Sequence, residues 1–236
     1  MIDFEAMKQK AASFCVNLNE EQLLQLDQYA EMLVDWNTRM NLTGITDSEG
    51  IMTRHFEDSL SLLAYAQIPE GAKVIDVGTG AGFPGVVLKI ARPDIQLTLL
   101  DSLQKRLLFL DAVVHQIHVE ARIAHMRAEE GSRIPKMREQ YDIACARAVA
   151  NLRELAEYCL PYVKGKGYFV SMKGPDVAEE VASARNAIDK LGGKLVGLHE
   201  FSISDGSKRS IIVVKKMKQT PSQYPRPYAK IAKNPL

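Results

Sequence analysis

Between Val74 and Gly85 the chain reads Val-Ile-Asp-Val-Gly-Thr-Gly-Ala-Gly-Phe-Pro-Gly, an apolar run that ends in glycines before helical spacing resumes. Chemistry is possible at such a junction because glycine lacks a Cβ, so the backbone can turn sharply and a ligand can approach it closely. In open α/β sheets, ligands bind in the crevice beyond the carboxyl ends of the strands. Two acids flank the junction. Asp76 stands two residues before Gly78, where a carboxylate would oppose a pyrophosphate but suits a cationic ammonium. Asp101 follows Asp76 by 25 residues and ends the next apolar run, where an acid can accept hydrogen bonds from ribose hydroxyls. Gly80, Gly82 and Gly85 also satisfy the glycine fingerprint of dinucleotide folds, a weak signal alone. That fingerprint starts late, since Gly78 already opens the turn. A nicotinamide or flavin cofactor stays open as an alternative, as does a sheet that binds nothing.

The elements that must hold these residues emerge from periodicity. After Gly71, strand-like runs fall at residues 73–77, 95–100, 119–124, 142–146 and 168–172, separated by helical patterns after Pro84 and at 104–116, 152–162 and 177–191. This alternation implies right-handed crossovers and a parallel sheet covered on both faces. Strands at 194–203 and 210–216 are joined only by Ser204-Asp205-Gly206-Ser207. So short a link forces an antiparallel pair, because a parallel return needs roughly a dozen residues. A mainly parallel sheet ending in an antiparallel hairpin resembles the seven-stranded, Rossmann-like α/β sheet of class I methyltransferases. Residues 1–70 read as a helical extension, 71–218 as the sheet domain, and 219–236 as a basic tail whose four prolines suggest irregular structure. In the extension, Asn19 and Gln22 form a capping box ahead of an apolar face of Leu23, Leu26, Tyr29, Ala30 and Leu33. Asn41-Leu42-Thr43-Gly44 ends that helix, and Ser48 is expected to cap another in which Phe56, Leu60, Leu63 and Ala64 share a face.

The 236 residues are 46% hydrophobic and 25% charged, ordinary for a protein with one large core. No apolar run approaches the roughly 18 to 20 residues of a membrane span. The acidic start, Met1-Ile2-Asp3-Phe4-Glu5, lacks the basic and apolar regions of a signal peptide. Cys15, Cys145 and Cys159 are odd in number and form no CxxC pair, so neither a disulfide framework nor a metal site is indicated. A cytoplasmic protein is expected, without membrane contact and monomeric. The net charge of +1 conceals an asymmetry. Residues 1–35 carry two lysines against seven acids, while residues 208–236 carry eight basic residues and no acid. Such a tail can mark nucleic-acid contact or only a solvated surface.

Asp76-Val-Gly-Thr-Gly80 resembles the methyltransferase loop that binds S-adenosylmethionine. Among methyl acceptors, the chain lacks the Asp/Asn-Pro-Pro-aromatic segment of exocyclic amino methylases, and no cysteine has the Pro-Cys or Thr-Cys context of pyrimidine C5 methylases. That suits a nucleophile with a free lone pair, such as guanine N7. Further segments sharpen the resemblance: Trp36 to Thr43, Arg54 to Leu60, Leu99 to Ser102, Arg147-Ala148, Lys173-Gly174 and Tyr224-Pro225-Arg226. Together with the glycine loop, over nearly the whole chain, they are similar to the ribosomal small-subunit RNA methyltransferase G family, also called glucose-inhibited division protein B.

The resemblance implies methyl transfer from S-adenosylmethionine to N7 of a guanine in 16S ribosomal RNA, with the small subunit or its precursor as partner. By position, Gly78, Phe83, Ala128, Glu129 and Arg147 match the family's cofactor contacts, and Asp76, Gly80 and Asp101 complete the expected cofactor site. No catalytic acid or base is assigned. Arg39, Arg54, Arg147, Lys173 and Arg226 are candidates for gripping phosphate or base edges. His55 is expected to pack the helical region onto the sheet, and Trp36 to anchor a core. One departure lies in the tail, where Pro227-Tyr228-Ala229 replaces the family's usual Lys-Pro-Gly. A small-molecule methyltransferase and a non-catalytic RNA-binding assembly factor on the same fold remain as alternatives.

Overall fold

The computed structural model describes residues 1–147 and 149–236. Seven strands form one sheet: β1 (Lys73–Val77), β2 (Gln96–Asp101), β3 (Ala121–His125), β4 (Tyr141–Arg147), β5 (Val163–Lys173), β6 (Gly193–Ser202) and β7 (Lys208–Lys216). Their order is β3-β2-β1-β4-β5-β7-β6. The first five run parallel, whereas β7 pairs antiparallel with both β5 and β6. Burial along the strands explains their sequence patterns. β1 is buried from Val74 onward because helices cover both its faces, so it reads as an unbroken apolar run. β6, at the sheet edge, alternates exposed and partly buried residues. Chain order reverses between β1 and β4, which puts the opening of the sheet above the carboxyl end of β1.

The amino-terminal helices α1 (Phe4–Ala12) and α2 (Glu20–Asn37) do not form a core of their own. Leu23, Leu26 and Leu33 of α2 belong to the same buried cluster as Val86, Phe109 and Leu110 of the sheet's covering helices. The expected capping box is present. Gln22 also donates from Nε2 to the carbonyl of Ile90, 2.8 Å away, satisfying an end group of the helix Gly85–Ala91. Asn37 ends α2 by accepting the amides of Leu42 and Thr43 on its Oδ1. Trp36 is half-buried against Phe109, with ring centroids 5.7 Å apart, as a core anchor.

Three expectations need correction. The next helix is capped by Asp47, whose Oδ1 accepts the amide of Gly50 at 2.7 Å, and not by Ser48. That helix continues as a π-helix, Ile51–Glu57, with a wider turn than an α-helix. The wider turn rotates the residues beyond it: Phe56 and Leu60 are buried as expected, but Leu62 takes the inner position and Ala64 is exposed. The tail is also more ordered than its prolines suggest. It contains the helix Tyr228–Lys233, with Ile231 fully buried. Arg138 holds the approach to it by donating to the carbonyls of Thr220 and Tyr224. No helix among the described residues is long and apolar enough to cross a membrane.

Candidate active site

The glycine loop is hung on its neighbour strand. The amides of Gly78 and Thr79 both donate to the carbonyl of Leu100 in β2, at 2.8 and 3.1 Å. The Gly80 amide donates to Asp101 Oδ2 at 3.0 Å, and the Leu103 amide to Oδ1 at 2.8 Å. Gly78 and Gly80 have φ of +70° and +61°, a region that favours glycine. From below, Tyr29 of α2 donates its hydroxyl to the carbonyl of Ala81. The helical extension therefore supports the loop directly.

Above the loop lies a cavity of about 580 Å³. Gly78, Gly80, Phe83, Asp101, Ala128, Glu129 and Arg147 all line it, so seven of the eight residues expected to contact a cofactor converge on one space. One end is formed by Asp101 and the residues after β3, Met126 to Glu129. Ala128 and Glu129 begin a single helical turn, Ala128–Gly131, fixed by the Tyr162 hydroxyl donating to the Ala128 carbonyl at 2.7 Å. Burial raises the Glu129 carboxyl above its ordinary pKa.

Arg147 forms the other end, where β4 stops. Its Nη1 donates to Asp58 Oδ2 at 2.9 Å, and the guanidinium carbon lies 5.0 Å from the centre of the Phe83 ring. Phe83 stacks in turn with His55, at 4.4 Å, and with Tyr29, at 5.3 Å. His55 packs the helical region onto the sheet, as expected. Arginine can only donate, so the 3.5 Å contact from Arg147 Nη2 makes His55 Nδ1 an acceptor. That leaves the ring proton on Nε2, 2.8 Å from Thr43 Oγ1. Burial, reinforced by the Arg147 charge, pushes the His55 pKa down to about 4, so the ring is neutral at physiological pH.

Asp76 departs from its expected place. It is fully buried beneath the loop and does not line the cavity. Its Oδ2 accepts from Thr79 Oγ1 at 2.7 Å and from the Gly85 amide at 2.9 Å, which ties the loop to the start of the next helix. Oδ1 has no partner, and burial raises the pKa to about 6. The carboxylate braces the turn from behind and makes no direct contact with the cavity.

The candidate gripping residues separate. Arg54, Arg147 and Lys173 line a second cavity of about 370 Å³ that shares His55 and Arg147 with the first. Arg54 is more than half exposed and pairs with Asp205 at 2.9 Å. Lys173 is mostly buried, bonded to Glu180 and to the carbonyl of Ala150. Arg39, just beyond the end of α2, pairs with Asp35 of that helix and lines neither cavity. Arg226 makes a two-pronged pair with Glu157, a fully buried carboxylate, and also lines neither cavity. In this structure it ties the tail to the helix Leu152–Cys159. Ala148, part of the Arg147-Ala148 motif, lies outside the described residues.

Sequence reasoning missed several wall residues. Arg209 donates from Nε to Asp58 Oδ1 at 3.1 Å, so Asp58 bridges two arginines between the cavities. Tyr158, Arg127 and Tyr228 line the first cavity. Arg127 could have been found from its place just before Ala128. Tyr158 and Tyr228 carry no local signal, because folding alone brings them there.

A seven-stranded sheet with one antiparallel strand pair at its edge, and a nucleoside-sized cavity over a glycine loop at the switch point, define a class I S-adenosylmethionine-dependent methyltransferase. The solved SAM-dependent O-methyltransferase of Thermotoga maritima is similar in fold, with a TM-score of 0.53 at 15% identity, covering 79% of this chain and 72% of that one. Sequence comparison is more specific. The family model described as rRNA small subunit methyltransferase G matches residues 22–212, and the chain belongs to that family. Among its relatives, the ribosomal RNA small subunit methyltransferase G of Desulforamulus reducens is 47% identical over 234 residues, 98% of this chain and 97% of the relative. That of Clostridium novyi is 44% identical over 237 residues, 100% of this chain and 98% of the relative.

Proposed function

We propose that this chain transfers a methyl group from S-adenosylmethionine to N7 of a guanine in the 16S RNA of the small ribosomal subunit. The observation that carries the reading is the cavity walled by Asp101 at one end and Arg147 at the other. The residues present fit the cofactor. A Cβ on Gly80 would meet only the Gly78 carbonyl oxygen, at 4.0 Å, so the loop leaves room for a ligand. Asp101 spends one oxygen on the Gly80 amide and a 3.4 Å contact from Arg106, and the other on the Leu103 amide. A carboxylate offers about four acceptor positions, which leaves one for a ribose hydroxyl. Arg147 supplies the positive charge suited to an amino-acid carboxylate, and Phe83 an apolar wall beside it.

When bound, the cofactor supplies a sulfonium-activated methyl group, for which the lone pair of guanine N7 is an acceptor that needs no deprotonation. The chain's own contribution is then positioning, worth roughly 7 to 11 kcal/mol when two reactants are held in line. Asp58 fixes the Arg147 guanidinium, and neutral His55 packs against Phe83 without adding a second positive charge. The exposure of Arg54 at the second cavity supports reading it as a contact for an RNA phosphate. We read residues 1–70 as a support for the loop, and the protein as a cytoplasmic monomer that acts on the subunit or its precursor.

The test is incorporation of labelled methyl from S-adenosylmethionine into free 16S RNA, a partial particle and the complete small subunit. The product should be a single site sensitive to borohydride–aniline cleavage, which reports 7-methylguanine. Labelling of small metabolites alone would overturn the proposal.

A further inference from the structure

One wall of the first cavity comes neither from the glycine loop nor from the strand ends. Tyr228, the first residue of the tail helix, lines it. The segment is fixed on both sides of this residue. Two positions earlier, Arg226 is clamped to buried Glu157; three positions later, Ile231 is fully buried in the cluster that contains Leu152 and Leu155. Between these anchors the Tyr228 ring is half exposed. The guanidinium carbon of Arg127 lies 4.7 Å from its centroid.

The location along the cavity indicates a ligand. Asp101 closes β2, and Arg127 comes just after β3, the next strand toward the sheet edge. A nucleoside whose ribose meets Asp101 and whose amino-acid end points to Arg147 must direct its base the other way, toward Arg127 and Tyr228. We infer that the Tyr228 ring is the surface on which the adenine of the cofactor stacks, with Arg127 holding one face of the ring and the base taking the other. The inference rests on the cofactor reading above. It assigns a binding role to a residue of the tail helix. It also makes tail docking through Arg226 a condition of full cofactor affinity.

The experiment is calorimetric titration of the full chain with S-adenosylhomocysteine and, separately, with 5′-methylthioadenosine, which lacks the amino-acid end. Tyr228→Ala should weaken both ligands by about ten- to a hundredfold, the usual range for losing a base–aromatic stack. Tyr228→Phe, which keeps the ring, should bind like the parent. Tyr228→Leu keeps an apolar side chain for tail docking but has no π face, and should lose affinity as the alanine variant does. Limited proteolysis of each variant should show the tail still protected. Tight binding by the parent with unchanged affinity in Tyr228→Ala would overturn this inference and leave the cofactor reading standing. Retained affinity in Tyr228→Leu would overturn stacking as the cause. No binding of either ligand by the folded parent would overturn both.

Discussion

Two arginine–carboxylate pairs in this protein have similar anatomy and opposite consequences. Arg147 donates to Asp58 at 2.9 Å, and Arg226 donates to Glu157 at 2.7 Å. Each joins residues far apart in sequence, and each carboxylate is buried. Arg147 stands at the carboxyl end of β4, between two cavities. Arg226 faces the helix Leu152–Cys159 and touches neither. What separates them is position relative to the open edge of the sheet, which residue type and local charge do not report. The basic tail illustrates the same point. Of the eight basic residues between 208 and 236, Arg209, Lys216 and Arg226 are committed to Asp58, Glu139 and Glu157. Part of the charge that suggested a nucleic-acid surface is therefore spent inside the fold.

The largest expected effect lies at the glycine loop beneath the cavity that Arg147 helps to wall. Gly80→Val places a β-branched side chain at φ +61°, in space that the cavity leaves open. Binding of S-adenosylhomocysteine should become undetectable by calorimetry while thermal unfolding stays cooperative. Retained affinity would show that the cavity above this loop is not the cofactor site. At the tail pair the loss should be of stability instead. Arg226→Ala leaves Glu157 buried without its partner, which costs about 3–5 kcal/mol in comparable buried pairs. Urea unfolding measures it. In the surviving folded fraction, the salt dependence of RNA affinity should match the parent, because Arg226 meets carboxylate and not phosphate.

The sheet was legible because its alternation of short apolar runs and helical spacing reflects burial on two faces, and β1 matches its expected limits. β5 begins earlier than its apolar run, at Val163, because Lys164 to Lys166 are exposed beside an irregularity in the pairing with β4. Exposed polar residues carry no strand pattern. The π-helix was invisible for a different reason: its wider turn leaves no mark on composition, yet it buries Glu57 and Asp58 where a polar face would be expected. The glycine loop and Asp101 could be read because they lie where strands end, whereas Ala128 and Glu129 were named only by the family resemblance. Asp76 was misplaced because sequence distance to a glycine does not say on which side of the turn a carboxyl lies. Tyr228 was illegible because only Arg226 and Ile231, acting as anchors, bring its ring to the cavity.

A smaller effect tests whether the Arg147 charge acts on the site. His55 is held down to about pKa 4, with Arg147 as a cause second to burial. Arg147→Met should move the His55 pKa up toward the ordinary 6.5, read by NMR of its ring protons, whereas Arg226→Lys should leave it alone. The linked stability has a definite sign. From about pH 6.5 down to 4 the unfolded chain protonates His55 and the folded chain does not, so this group makes stability rise with pH over that window. Asp76 opposes it: with its folded pKa raised from 3.8 to about 6, the folded state keeps a proton that the unfolded state has lost, and stability falls as pH rises through that interval. Asp76→Asn should therefore steepen the rise of stability with pH between about 4 and 6. An unchanged slope would mean that Asp76 does not titrate in this range.

The smallest expected effect concerns Arg54, which shares the second cavity with Arg147 but is 53% exposed. Its pair with Asp205 sits in solvent, so Arg54→Ala should change stability by less than about 1 kcal/mol. An exposed cation that neutralises a phosphate of single-stranded RNA nonetheless releases a counterion. Its loss should flatten the dependence of log affinity on log salt by about 0.7. Measured beside Arg226→Ala, this variant separates the two regions along independent axes, since one change should move stability without the salt slope and the other the slope without stability. If Arg54→Ala leaves the slope unchanged, the RNA path does not cross this cavity, and the cationic rim around Asp58 serves only to hold Arg147 in place.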